Sequence, residues 1–252
     1  MILDGESFFA RHRARDIGRN GIRRVSIEVL SHDEVIVTYL VDHVWQADGR
    51  TCKSLMHLTA PQGISGTSIL MIEQPGSFTM DLWLKLRTAR RPLAVAAERA
   101  LQHVLGTDFC YEDLRFWYPT DDLEVDTIER ITSTASTAQS ETLVRAHRRL
   151  PDGTAALCVL RGRDDGALIE VSRMVEHIKG SERVMRSTDW HQRDSRAFPT
   201  VMIVERMGGA YVSRMYLIGI NFDVVVPPDL FSVDNLMNMS PAAYASFQSA
   251  PI

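Results

Sequence analysis

A chain of 252 residues with 45% hydrophobic and 24% charged residues has the composition of a globular protein with a real core. All-β chains of this length commonly form a single unit. The formal net charge of −4 argues against non-specific binding to nucleic acid, and no apolar run approaches the ~18–20 residues that a membrane span requires.

The N-terminal stretch "LDGESFFARHRARDIG" places Leu3, Phe8, Phe9 and Ile17 at loosely helical spacing, with Gly18 as the stop. It predicts a helix over 1–19. The N-terminus lacks the roughly 7–15 apolar residues of a signal-peptide core. The cytoplasm is therefore expected if this is the full native chain.

From residue 22 onward, apolar and polar residues alternate. "IRRVSIEVL", "EVIVTYLVDHVW", "KSLMHLTA", "SILMIEQ" and "SFTMDLWLKL" each read as a strand. Asp48-Gly49, Gly63 with Gly66, and Pro75-Gly76 supply the turns. "PLAVAAERALQHVLG" interrupts the pattern. Its proline start, helix-forming composition and closing Gly106 predict a helix over 92–106. After residue 120 alternation resumes in "LEVDTIERITSTA", "TLVRAHRRL", "TAALCVLRG", "LIEVSRMVEH", "ERVMRSTDW", "PTVMIVERM" and "AYVSRMYLIGI". Asp152-Gly153, Asp165-Gly166 and Gly208-Gly209 mark hairpins among these. Turn signals every 8–12 residues or so describe an antiparallel all-β meander. A strongly curved sheet of that kind half-closes into a barrel, with one or two helices over its open face.

No phosphate-binding loop, dinucleotide fingerprint, zinc-protease motif or nucleophile elbow occurs. The three cysteines, Cys52, Cys110 and Cys158, have no short spacing, which excludes a disulfide framework and a four-cysteine zinc site. Cys52 and His57 lie five apart on a strand, hence on opposite faces, so no metal and no cofactor is expected. Arginines gather at 11–24, at Arg87, Arg90 and Arg91, and at Arg148–Arg149, among acids, as solvated faces do.

The densest polar stretch is "LGTDFCYEDL" at 105–114. As chemistry, Asp108 with Glu112 or Asp113 forms an acid–base pair if burial separates their pKa values. As scaffold, Thr107 or Asp108 caps a helical turn, Glu112 and Asp113 sit at its positive end, and Cys110, Leu114 and Trp117 form an apolar stripe. The scaffold reading accounts for every residue type in the stretch.

This stretch carries a resemblance. "GTDFCYEDL" (Gly106, Thr107, Asp108, Phe109, Cys110, Tyr111, Glu112, Asp113, Leu114) resembles the F-x-G-[ST]-D-F-S-Y-E-D-L phrase of the LolA-like outer-membrane lipoprotein-sorting protein family. "APQGISGTSIL", "DLWLKLRTARR" and "NFDVVVPPDLFSVDNL" are similar, in order, to three weaker segments of that family, so the likeness runs over about residues 20–236. Lys85 and Arg87 stand where the family usually has Tyr and Pro. The resemblance implies one LolA-like domain over 1–252, with 237–252 as a tail: a half-open antiparallel β-barrel closed by helices around a hydrophobic cavity. It implies a structural role for the 106–114 motif, and a periplasmic location if an export signal was removed.

The function expected on that basis is a carrier for a lipid, an acylated protein or another hydrophobic small molecule. On "SFTMDLWLKL", alternation puts Phe78, Met80, Leu82, Leu84 and Leu86 on one face as candidate cavity lining. Met71, Met202 and Val204 add to it, and eleven methionines suit a lining that accepts flexible chains. The alternative is a biosynthetic protein that binds or rearranges a hydrophobic metabolite in the same cavity, with acid–base help from Asp108, Tyr111, Glu112 or Asp113.

Overall fold

Alternating sequences become long strands. The computed structural model describes residues 8, 10–12, 15, 18–48, 51–74, 80–96, 99, 102–111, 113–114, 124–132, 140–149, 155–175, 182–227 and 229–238. In chain order the strands are β1 (Asn20–Ser31), β2 (Glu34–Asp48), β3 (Thr51–Ala60), β4 (Ser68–Glu73), β5 (Met80–Lys85) and β6 (Leu93–Val95). They continue with β7 (Glu124–Thr132), β8 (Ser140–Arg149), β9 (Ala155–Arg163), β10 (Leu168–Val175), β11 (Arg183–Arg193), β12 (Arg196–Arg206) and β13 (Val212–Phe222), followed by one short helix, α1 (Val233–Asn238). They form one antiparallel sheet of 13 strands in the order β6-β5-β4-β3-β2-β1-β13-β12-β11-β10-β9-β8-β7. With β6 and β7 as its outer strands the sheet stays open, as the expected half-open architecture requires.

Two compact units divide the chain. The first comprises residues 1–17 and 103–213, the second residues 18–102 and 214–252. In the second unit, register aligns a row of apolar residues across the strands: Ile22, Val44, Leu55, Leu70 and Trp83. Leu230, Phe231 and Leu236 pack on this row and complete a core cluster. Ser232 caps α1, its Oγ accepting the Asn235 amide at 3.1 Å. Burial runs unbroken from Ser54 to Leu58 on β3, so this strand is covered on both faces rather than one.

In the first unit a second row crosses six strands: Val204, Met185, Val171, Leu160, Val144 and Ile128. Its first five members are buried, and each fully buried side chain of this size contributes about 1.5–3 kcal/mol. Of the predicted N-terminal helix, Phe8 and residues 10–12 are helical, whereas Arg15, Gly18 and Arg19 are not, and the rest of 1–19 lies outside the described residues. Phe8 lies against Gly162, where an added Cβ would sit 2.4 Å from the ring. The His12 imidazole bonds the Gly166 carbonyl through Nδ1 at 2.8 Å.

The helix predicted over 92–106 is corrected at its two ends, while Arg99 is in a 3-10 turn and residues 97, 98, 100 and 101 lie outside the described residues. Leu93, Ala94 and Val95 pair with Leu84, Trp83 and Leu82, so the local helix-forming composition yields to the hydrogen-bonding edge of β5. Further on, His103 bridges to Cys110 around a turn in which Leu105 and Gly106 both have positive φ. Gly106 is a stop, as expected, but of a turn. Two hairpins also close without glycine: His32-Asp33 and Asp194-Ser195 take left-handed conformations between paired strands. The turn positions Gly49, Pro75-Gly76 and Asp152-Gly153 lie outside the described residues, as do Leu3, Phe9, Ile17 and most of 237–252.

Candidate functional site

The candidate lining in the second unit is defined by register. On the face opposite the α1 cluster, one row reads Gly21, Trp45, Ser54, Met71, Leu82 and Val95. The next reads Arg23, His43, Met56, Ile69, Leu84 and Leu93. Met71, Leu82 and Leu84 therefore share this face, and Met80, two residues before Leu82, joins them. Met71, Met80 and Leu82 are buried, and Leu84 is half-buried. Leu86 lies just past β5, also half-buried, where its carbonyl accepts the Ala89 amide. Phe78 lies outside the described residues. Met202 and Val204 are buried neighbours on one face of β12, within the first unit.

Three polar side chains interrupt the apolar face, and sequence reasoning missed them. Arg23 Nε donates to His43 Nδ1 at 2.7 Å, and His43 Nε2 meets Ser54 Oγ at 2.5 Å. All three are buried. Burial first, and the Arg23 charge second, hold the imidazole well below its ordinary pKa of 6.5, so His43 is neutral. The Arg23 guanidinium carbon also stands 5.6 Å from the Trp45 ring centroid. Gly21 makes room for that indole: a Cβ there would fall 2.0 Å from it.

The other face carries a polar row in the same manner: Arg24, Asp42, His57, Ser68 and Lys85. Arg24 grips Asp42 with two hydrogen bonds, at 2.6 and 2.9 Å. His57 Nδ1 lies 2.9 Å from Ser68 Oγ. Burial lowers the His57 pKa, and the Asp42 charge opposes that shift.

The 105–114 stretch belongs to the first unit, where its carboxylates part company. Asp113 is buried between two arginines, with Arg173 Nη2 at 2.8 Å from Oδ1 and Arg183 Nη1 at 3.1 Å from Oδ2. Its Oδ2 also accepts the Cys110 amide at 2.7 Å, the reach-back of a capping carboxylate. Arg173 further contacts Cys110 Sγ at 3.0 Å, and Arg183 donates to the Asp108 carbonyl at 2.6 Å. Asp108 instead pairs with Ser213: its amide donates to Ser213 Oγ at 2.7 Å, and that hydroxyl donates to Asp108 Oδ2 at 3.2 Å. The expected cap at Thr107 or Asp108 thus falls to Asp113, and Thr107 Oγ1 donates back to the Val104 carbonyl at 2.7 Å. Burial raises the pKa of Asp108, with the Ser213 hydrogen bond opposing it, and burial raises that of Tyr111. Phe109, Cys110, Tyr111 and Leu114 are buried, whereas Glu112 and Trp117 lie outside the described residues.

The signal that identifies the missed residues is phase. Arg173 alternates with Val171 and Val175, Arg183 with Met185, and Arg23 with Val25, all buried positions. A charged residue in the apolar phase of a strand marks a buried pair rather than a solvated face. Among the described residues no group of three or more His, Cys, Asp or Glu is arranged to hold a metal ion, and no helix is long and apolar enough to cross a membrane.

A family model described as an uncharacterized protein matches residues 50–151. No curated protein sequence matches the chain. Solved structures do. A DUF1329 family protein from Desulfovibrio piger is similar with a TM-score of 0.77 at 14% identity, over 93% of this chain and 98% of that one. A putative outer membrane lipoprotein-sorting protein domain from Vibrio parahaemolyticus gives a TM-score of 0.76 at 17% identity, over 92% and 97%. A LolA superfamily protein from Nitrosomonas europaea gives 0.69 at 13% identity, over 91% and 97%. Matching nearly end to end at identities too low for alignment of individual residues, these neighbours establish that the chain has the LolA-like fold.

Proposed function

We propose that this protein is a carrier that holds a lipidic or acylated ligand, the acyl chains of a lipoprotein or another amphiphile, against an apolar sheet face. The observation that carries this reading is the register-aligned surface of Met56, Ile69, Met71, Leu82 and Leu84 in the second unit. Methionines there repack around a flexible chain without a fixed shape being demanded of it. Met80 and Leu86 extend this lining, and Met202 and Val204 are candidates within the first unit. Support comes from the fold shared with a putative lipoprotein-sorting domain.

The motif at 106–114 serves as scaffold in this reading. Asp113 has its oxygens committed to Arg173, Arg183 and the Cys110 amide, and Asp108 is committed to Ser213. Asp113 is thereby left without a free oxygen for the proton transfer that acid–base chemistry on a bound metabolite requires.

Native mass spectrometry of the purified protein tests the proposal. A co-purified lipid or acyl chain is the expected result. A co-purified pathway metabolite in place of a lipid or acyl chain, released intact on denaturation, would contradict it and favour the biosynthetic alternative.

A further inference from the structure

The chain of hydrogen bonds from Arg23 to Ser54 has only one possible direction. An arginine donates and never accepts, so His43 Nδ1 must be the acceptor of the Arg23 Nε–H. The neutral imidazole then carries its single proton on Nε2 and donates it to Ser54 Oγ at 2.5 Å. Ser54 Oγ is thereby an acceptor towards His43, and its own hydroxyl hydrogen points elsewhere. Among the described residues that hydrogen has no acceptor, although Ser54 is 97% buried by its 3% exposure. Its cross-strand neighbours on the same face are Trp45 and Met71, followed by Leu82, and the Trp45 indole N–H is already directed to the Gly18 carbonyl.

A buried donor without an acceptor is costly and asks for a partner. We propose that Ser54 donates this hydrogen bond to a carbonyl or carboxylate oxygen of the carried amphiphile, placing the acyl head beside Ser54 and the chain along Met71, Leu82 and Leu84. The assignment rests on the carrier reading and sharpens it: the ligand is an acyl compound, recognised by its carbonyl, rather than any hydrocarbon of the right size. The relay supplies the selectivity. Because the Arg23 donation fixes the imidazole tautomer, the Ser54 hydroxyl hydrogen is the donor left over for the ligand.

The test compares two chain-matched ligands, methyl laurate and tridecane, as competitors of the apolar dye N-phenyl-1-naphthylamine. The ratio of their affinities, read within each variant, cancels any general loss of binding. The parent protein is expected to prefer the ester several-fold. Ser54→Ala should bring the ratio close to one, and Ser54→Thr, which keeps the hydroxyl, should retain the preference. If Ser54→Ala fails to fold, Ser54→Cys decides, because a thiol of similar shape is a weak donor and should lose most of the preference. A preference that survives Ser54→Ala, or Ser54→Cys in its place, overturns the assignment alone. Failure of the parent protein to bind the dye or either competitor overturns the carrier reading and the assignment together.

Discussion

Asp113 and Arg173 meet at 2.8 Å with each side chain only 3% exposed, although sixty residues separate them in sequence. Arg183 completes the clamp from the neighbouring strand. The geometry converts an acidic motif that looks catalytic into a bolt between the 105–114 turn and the sheet.

Removing that carboxylate should therefore be severe. Asp113→Ala removes a buried carboxylate from between two buried guanidiniums, a defect that costs about 3–5 kcal/mol when a buried pair is broken. Asp108→Ala, which loses one hydrogen bond to Ser213, should cost about 0.5–1.5 kcal/mol. Urea unfolding of both variants checks the order. Equal losses would remove the distinction drawn between the two carboxylates.

Stability should depend on pH with a definite sign. Burial lowers the pKa values of His43 and His57 below 6.5, so below that value the unfolded chain binds protons that the folded chain refuses. Stability then falls as pH drops from about 6.5 towards the folded values. Asp108 acts the other way. Burial raises its pKa above 3.8, and the stability this contributes is present at acid pH and lost as pH rises through the raised value. Melting temperature should fall between about pH 7 and about pH 5. The fall should be shallower in His43→Gln. A parent curve flat over this range would contradict the neutral His43.

Docking of the N-terminal helical residues depends on Gly162. An added Cβ there meets Phe8 ring carbons at 2.4 Å, and overpacking of this kind costs about 1–3 kcal/mol. Gly162→Ala should expose the N-terminal segment, read as faster cleavage there in limited proteolysis. Phe8→Ala combined with Gly162→Ala should recover no docking but relieve the clash, giving a higher melting temperature than Gly162→Ala alone.

Most strands were legible because a half-buried strand must alternate, as β9 does from end to end, whereas β3 and β4 carry unbroken buried runs and were read from their apolar content and flanking turns. Leu93–Val95 were misread as the start of a helix because the alanines and leucines of 92–106 speak for local propensity. The pairing of Leu93–Val95 with β5 is a tertiary fact with no local signature. The apolar lining was legible in part: alternation alone puts Leu82 and Leu84 together, but only register adds Met56, Ile69 and Met71. The polar partners were not read, because Arg173, Arg183 and Arg23 look like ordinary surface arginines until their phase in the strand is counted. Their burial depends on carboxylates and imidazoles that arrive from distant strands.

The most direct test of the carrier account is affinity against chain length. An apolar lining gains about 0.8 kcal/mol for each methylene removed from water, close to fourfold per carbon. Equilibrium binding of a saturated fatty acid series should strengthen with each added carbon until the lining is filled, then level off. Leu84→Asp should abolish the trend, since an unpaired carboxylate on that face is costly to keep dry. Because Leu84 is only half-buried, the variant should still give a cooperative melting curve. Affinity that does not change with chain length in the parent protein would contradict the account.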